Sequence, residues 1–585
     1  MIVTSSGKIL AGPNRIIVSD TINEFLGIVN NLWNNPANWS LGIVPAANHI
    51  AIIKADCLLN TTGSVRQLII NNNFTFTKRG ALTIENIRIY GTFNDNNGNQ
   101  TTITKGNDSY WNGYIRTANS NIQFNNSGPV IPAIDYYNLY IGSNLTSPIL
   151  LLNSISVFNT LSVGGNSQFD LSVYNIDTND LSLSNNSYLI AKNNNYIRIN
   201  NLATFNTNTL LATNFASGTV FEFVKGILTN ASSINDFGQS KIIFSTNSKT
   251  ITTNSTENVN PFVMRNVEIK ENIEVTLTGK KFTLFEKIIG LNASSKLDTR
   301  GNIDWQGKLN SDLLVNSLFY ANQSDNIFSY NFSGNQEIRI PNDGGYRELR
   351  LQNAGVKKLT GNTTCEHLYF AGTATLDLNG FTLTGYTKYT DARNRASTVP
   401  LGSYTNVEFK DENLNTVQTL TSGSTVDELI WRGGNFTVGT NTPVFALNGV
   451  NPAQWRFIRQ FSQQINNIAF TFSNVRLEIE SGTPGGLTLN NSNITITGTL
   501  DFKRNGLMIL NGTSSIICNT LSLSLTGAQD IPANVGFTNL TISGSGMKTL
   551  TGNIVVTGTY YRDTVNTTFN KNGFTIKNSS GVDLE

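Results

Sequence analysis

The chain has 585 residues, only 14% of them charged, and its 41 basic and 39 acidic side chains leave a formal charge of +2. An average soluble protein carries roughly 25% charged residues, and with no run of Lys and Arg able to neutralise a phosphate backbone, nucleic acid is excluded as a partner. No stretch approaches the roughly 20 apolar residues that span a bilayer, so no membrane insertion is expected.

In chain order, the opening residues MIVTSSGKILAGPNRIIVSD lack the apolar core of a signal peptide. Residues 1–32 are set apart as an N-terminal attachment segment. WNNPANWSLGIVPAANHIAII follows, from Trp33 to Ile53, with two tryptophans six residues apart, then a glycine, a proline and an apolar strand. The open end of a β stack has an unpaired edge and an exposed core that must be covered. Trp33, Trp39, Gly42 and Pro45 are therefore assigned to a structural cap; stacking of the two indoles on a carbohydrate is the alternative.

From there, apolar residues alternate with polar ones to the end of the chain: Leu68, Ile70, Phe74 and Phe76; Leu82, Ile84 and Ile89; Ile494 and Ile496; Leu521, Leu523 and Leu525. Half-buried strands follow from this period of two. Asn-Gly, Asn-Asn, Gly-Gly and Ser-Gly pairs between the runs supply turns. Strand openings with apolar fourth and sixth residues occur at Tyr136, Met264 and Tyr404, and a proline stands just upstream of each. With the two copies of the repeat described next, Pro132, Pro261, Pro341, Pro400 and Pro532 account for five of only thirteen prolines, so each marks the corner before a new unit.

The clearest internal repeat pairs YRELRLQNAGVKKLTGN, from Tyr346 to Asn362, with FTNLTISGSGMKTLTGN, from Phe537 to Asn553, without a gap. Both copies then reach a Gly-Thr step, at Gly372 and Gly558, and an Asn-Gly-Phe-Thr turn at Asn379 and Asn572. The expected fold is all-β: an elongated parallel β-helix or β-solenoid of irregular repeated strand-turn units. Its sections are a Trp-rich cap and first coils over 33–130, central repeats over 131–450 and a C-terminal section over 451–585. Strands about 4.8 Å apart would make a rod on the order of 100 Å long, with Asn and Thr ladders at successive turns. One segment fits two readings. NPAQWRFIRQFSQQINNIAF, from Asn451 to Phe470, has an Asn cap, a following proline and Ile458, Phe461, Ile465 and Ile468 near helical spacing, whereas Trp455, Phe457 and Phe461 also suit strands.

Candidate chemistry is sparse. His49 and His367 are the only histidines, and neither has neighbours in sequence that suggest a triad or a metal site. Cys57, Cys365 and Cys518 stand far apart and suit structural free thiols better than a disulfide framework or a zinc site. Carboxylates on adjacent coils could hydrolyse glycosides, with Asp377, Asp427 and Glu428 as examples near strands, although charge on such a face is ordinarily solvated surface. No catalytic, cofactor-binding or metal residue is assigned, and no cofactor is expected.

Two resemblances point to a class of protein. The Trp33, Trp39, Gly42 and Pro45 element resembles the W…NW…G..P opening of β-helical surface proteins of Bacteroidota. TSSGKI followed by INEFLG is similar to the opening of small structural proteins of tailed bacteriophages. The NLTISGSG and KTLTGN units resemble those of phage tail fibres and secreted adhesins of the same bacterial groups. These resemblances imply a virion tail fibre or spike subunit: a homotrimer, joined to other tail proteins through its N-terminus, that attaches to a host surface glycan or protein without catalysis. A secreted adhesin at the bacterial surface and a β-helical polysaccharide lyase or hydrolase are the alternatives.

Overall fold

The computed structural model describes residues 2–3, 8–11, 15–18, 21–95, 97–106, 109–111, 113–116, 119–125, 130–132, 134–206, 209, 214–229, 235–247, 249–253, 262–279, 281–314, 316–411, 416–432, 435–436, 445–459, 463–466, 469–479, 486–502 and 507–585. The chain is a β-solenoid. The described residues form strands, turns and 3-10 segments such as Pro36–Asn38, with no α-helix among them. Residues 1–326 with 341–343 make one compact unit, and 327–340 with 344–585 make a second.

In the first unit, Ile103, Phe124, Ile141, Val163, Leu183 and Phe205 pair in parallel register, each on the next, although they stand 17 to 22 residues apart in sequence. All six are buried. Alternation sends every second side chain inward, so each coil adds one aliphatic or aromatic rung to a core that no coil could close alone. Before this stack, Ile2–Val3, Lys8–Ala11 and Arg15–Val18 form a small antiparallel sheet.

Asparagines order the turns. Asn144, Asn166 and Asn186 occupy one corner of three successive coils with φ of 59°, 57° and 56°. Asn166 Nδ2 donates to Asn144 Oδ1 at 2.8 Å, and Asn186 Nδ2 donates to Asn166 Oδ1 at 3.4 Å. The side chain thus tolerates the left-handed backbone and also links the coils. Replacing Asn166 by alanine is expected to cost about 1–2 kcal/mol, because alanine keeps the unfavourable φ and loses both bonds. Glycine there should cost less. Denaturant midpoints of the two variants check the order.

The proline corners lie where the spacing places them. Pro132 precedes the strand Tyr136–Ile141 and Pro400 precedes Ser403–Phe409. In both, the tyrosine four residues on turns back and donates its hydroxyl to the proline carbonyl: Tyr136 to Pro132 at 3.1 Å and Tyr404 to Pro400 at 2.7 Å. Pro261 lies outside the described residues.

In the second unit the inward row runs Leu429, Trp455, Val475, Leu500, Leu521 and Leu540, again in parallel register. Trp455 belongs to the strand Gln454–Arg459, and Gln463–Asn466 and Ala469–Phe472 follow it as strands. The segment from Asn451 therefore forms strands rather than a side helix. Coils on either side already offer unpaired ladder groups, which an extended segment satisfies and a helix would leave open. Phe461 and Ile468, two of the four residues behind the helical spacing, lie outside the described residues.

The two repeat copies share one construction. Leu349, Leu359, Leu540 and Leu550 are all buried. Gly355 and Gly546 have φ of 92° and 88°, and a Cβ on either would fall within 2.3 Å and 2.7 Å of the backbone of Gly334 and Gly527. Lys357 and Lys548 are buried as well. Lys357 Nζ donates to the carbonyls of Phe332, Gly334 and Ala354 and to Gln336 Oε1, at 2.7, 3.0, 3.3 and 2.8 Å. Lys548 Nζ does the same with Leu525, Gly527, Ser545 and Gln529 Oε1, at 2.7, 3.0, 3.4 and 3.3 Å. Burial pulls the Lys357 ammonium down to about 8, and four oxygen acceptors surround it. Gln418, placed likewise one step before an inward leucine, donates to the carbonyls of Arg395 and Thr416 at 2.9 and 3.1 Å.

Candidate functional site

At the N-terminal element, residues 38–43 run along the edge of the strand Thr21–Phe25, whose other edge pairs in parallel with His49–Ile53. Leu26 N donates to Asn38 O at 2.7 Å and Ser40 N to Glu24 O at 2.8 Å, with Phe25 and Trp39 in an antiparallel bridge. Buried Asn23 extends the seam, accepting from Leu41 N at 3.2 Å and donating to Ile43 O at 2.8 Å. Trp33 and Trp39 are 1% and 3% exposed, too little for either indole to stack on a sugar. Their rings meet edge to face at 4.7 Å, Trp39 Nε1 donates to Trp33 O at 2.7 Å, and Trp33 leans on Phe76 of a following coil at 5.6 Å. Gly42 turns the chain with φ of 66° and Pro45 is buried.

A second feature lies on the outer face of the first unit. The strands Ile155–Val163, Ile176–Leu183 and Tyr196–Phe205 stack in parallel, with Ser156 on Asp177 and Asp177 on Arg198. Because Ile155, Ile176 and Ile197 point inward, these three polar residues point out. Together with Ser154, Asn175 and Tyr196 they line a depression of about 300 Å³. That volume is at the lower end for ligand pockets, roughly 300–1,000 Å³.

Its groups are held by the coils around them. Ser154 Oγ accepts from Asn175 N at 3.0 Å, Asn175 Oδ1 from Tyr196 N at 2.6 Å, and Asp177 Oδ1 from Asn200 Nδ2 at 2.6 Å. Arg198 Nε lies 3.6 Å from Glu222 Oε2, the carboxylate that also accepts the Tyr196 hydroxyl and, through Oε1, Ser245 Oγ at 2.5 Å. Burial pushes the Glu222 carboxyl up, but Ser245, Tyr196 and Arg198 outweigh it and hold the group below its ordinary value. Burial and Glu222 together push the Tyr196 phenol up to about 12, so it stays a neutral donor.

No protein-family model, curated protein or solved structure matches this chain. What it can do must therefore be read from its own side chains.

In the second unit, His367 has neighbours that sequence proximity conceals. Its Nδ1 lies 3.2 Å from Glu348 Oε2 and its Nε2 lies 2.9 Å from Thr390 Oγ1, so three successive coils assemble a hydroxyl, an imidazole and a carboxylate. The order is that of a nucleophile, base and orienting acid. Yet Thr390 is only 3% exposed, which leaves a substrate no approach to its oxygen, and Glu348 is also engaged by Arg350 Nε at 2.5 Å. The cluster is a structural network. His49 is buried, its Nδ1 accepting from Ala46 N at 3.3 Å.

The candidate carboxylates do not converge. Asp377 closes a turn by accepting from Asn379 N at 2.8 Å, and Glu428 pairs with Arg456 at 3.1 Å and Asn406 at 3.0 Å, while adjacent Asp427 is exposed. Cys57, Cys365 and Cys518 are free and buried, and burial pushes all three thiols up, which leaves them protonated and unreactive.

Proposed function

We propose that the protein is a structural subunit of a phage tail fibre or spike that attaches to a host surface by non-enzymatic binding along the outer face of its coils. The observation that carries this reading is the outward row of hydroxyl, amide, carboxylate and guanidinium groups set at coil spacing, with Ser156, Asp177 and Arg198 at its centre. A regular field of this kind offers many directional contacts at little conformational cost, because the core holds the backbone in place. In the same reading, residues 1–32 join other tail proteins, and Trp33, Trp39, Gly42 and Pro45 cap the stack, with residues 38–43 occupying the edge on which a further parallel coil would add.

Two measurements test the proposal. Light scattering on the purified chain is expected to give about three times its 64.0 kDa mass, and a monomer would overturn the trimer. Labelled protein is expected to adsorb to cells of Bacteroidota strains while releasing no reducing ends from their surface polysaccharide. Release of reducing ends would overturn the non-enzymatic reading in favour of a glycan-degrading enzyme.

A further inference from the structure

Resting on that reading of the outer face, we infer that the depression over residues 154–200 is a subsite for a neutral glycan chain that crosses three coils obliquely between Phe158 and Tyr196. Phe158 is 61% exposed and Tyr196 37% exposed, an unusual placement for aromatic rings in a chain that buries most of its large ones. Ile155 and Val157 point inward, exposed Phe158 stands just beyond Ser156 where the register of its strand shifts, and Tyr196 precedes Arg198 on the outward side of a strand two coils away. Two coils are about 10 Å and four residues of straight strand about 13 Å, so the two backbone positions lie no more than about 16 Å apart, within the reach of about three hexose units.

Between the rings lie the groups that sugar hydroxyls need. Asp177 offers a carboxylate that accepts, and Arg198, whose side chain is 43% exposed, a planar guanidinium that donates. A pair of adjacent sugar hydroxyls can donate to one of these and accept from the other, while the apolar faces of terminal hexoses lie on the rings. Charge selects further. Asp177 and Glu222 flank the single Arg198 on neighbouring coils, so an anionic sugar meets a carboxylate on either side of the one guanidinium, which disfavours uronic acids.

The test is an array of neutral glucan, mannan and galactan oligosaccharides of three to six units, with uronic-acid oligomers as the contrast, probed with the full chain. Wild type should bind a neutral series, Phe158→Ala and Tyr196→Ala should each weaken binding about tenfold, and Tyr196→Phe should retain it. Tyr561→Ala, at a residue 56% exposed in the other unit, should have no effect. The denaturation midpoint of Phe158→Ala should match wild type because that ring is exposed, and Tyr196→Phe controls for the loss of the Tyr196 hydroxyl bond to Glu222 in Tyr196→Ala.

Wild type that binds no neutral oligosaccharide, or binds equally well with either ring removed, overturns the subsite. Cell adsorption separates this from the broader reading. Protein that adsorbs to cells but binds none of the neutral series leaves attachment standing and sinks the subsite, whereas protein that binds through these two rings without adsorbing to cells does the reverse.

Discussion

Lys357→Met is expected to destabilise the second unit by about 2–3 kcal/mol, because it removes a charged donor shared by three backbone carbonyls and an amide oxygen in a buried cradle. Gly334 N still donates to the carbonyls of Phe332 and Ala354, and Phe332 N to Gln336 Oε1, so the cost is that of the lost charge-assisted bonds and of the Gly334 carbonyl rather than of four bare acceptors. Lys548→Met should behave alike, since its cradle has the same composition. Lys357→Gln should cost less than methionine, because Gln418 shows that an amide can serve two carbonyls at such a corner. Guanidinium denaturation followed by tryptophan fluorescence reads all three. Equal midpoints for methionine and glutamine would show that the polar cradle contributes nothing beyond packing.

The second large effect concerns Lys78 and Asp95, both fully buried, with Nζ 3.0 Å from Oδ1. Lys78 Nζ also donates to Asn99 O, and Asp95 Oδ2 accepts from Thr101 Oγ1 at 2.9 Å. The double variant Lys78→Met, Asp95→Leu, which removes both buried charges, should lie within about 2 kcal/mol of wild type. Burial pushes the Asp95 carboxyl up to about 6, against the opposing pull of Lys78 and Thr101. Its affinity for a proton is thus higher folded than unfolded, so its contribution to stability is greatest below about pH 4 and is lost as pH rises through 6. Wild type should therefore lose stability relative to the double variant between pH 4 and 7. A constant difference, or one of the opposite sign, would contradict the assignment.

Both predictions concern residues whose importance the sequence registers only in part. The match of 346–362 with 537–553 aligns Lys357 with Lys548, yet nothing nearby says that either lysine is inside. Gln336 and Gln529 lie on the preceding coils, in direct register with the two lysines, and the match does not extend upstream that far without a gap. The depression was hidden in the same way. Ser156, Asp177 and Arg198 are each 21 residues apart, a spacing that would have brought them together only once the local coil length was known. His367 meets Glu348 and Thr390 at separations of 19 and 23 residues, so no single period would have found that cluster.

By itself the sequence determined the kind of element and its punctuation. Alternating aliphatic residues, asparagines and glycines at turns, and prolines at corners each act on backbone angles or on the side of a strand a few residues long, so they can be read locally. It also determined that Trp33 and Trp39 belong to one element. Only the tertiary structure decided which residues meet. Coils differ in length, contacts between them follow the hydrogen-bond register rather than distance along the chain, and one inserted residue shifts every outward neighbour. That register places an ammonium among carbonyls inside the second unit and sets a carboxylate, a guanidinium and two exposed rings across three coils of the first.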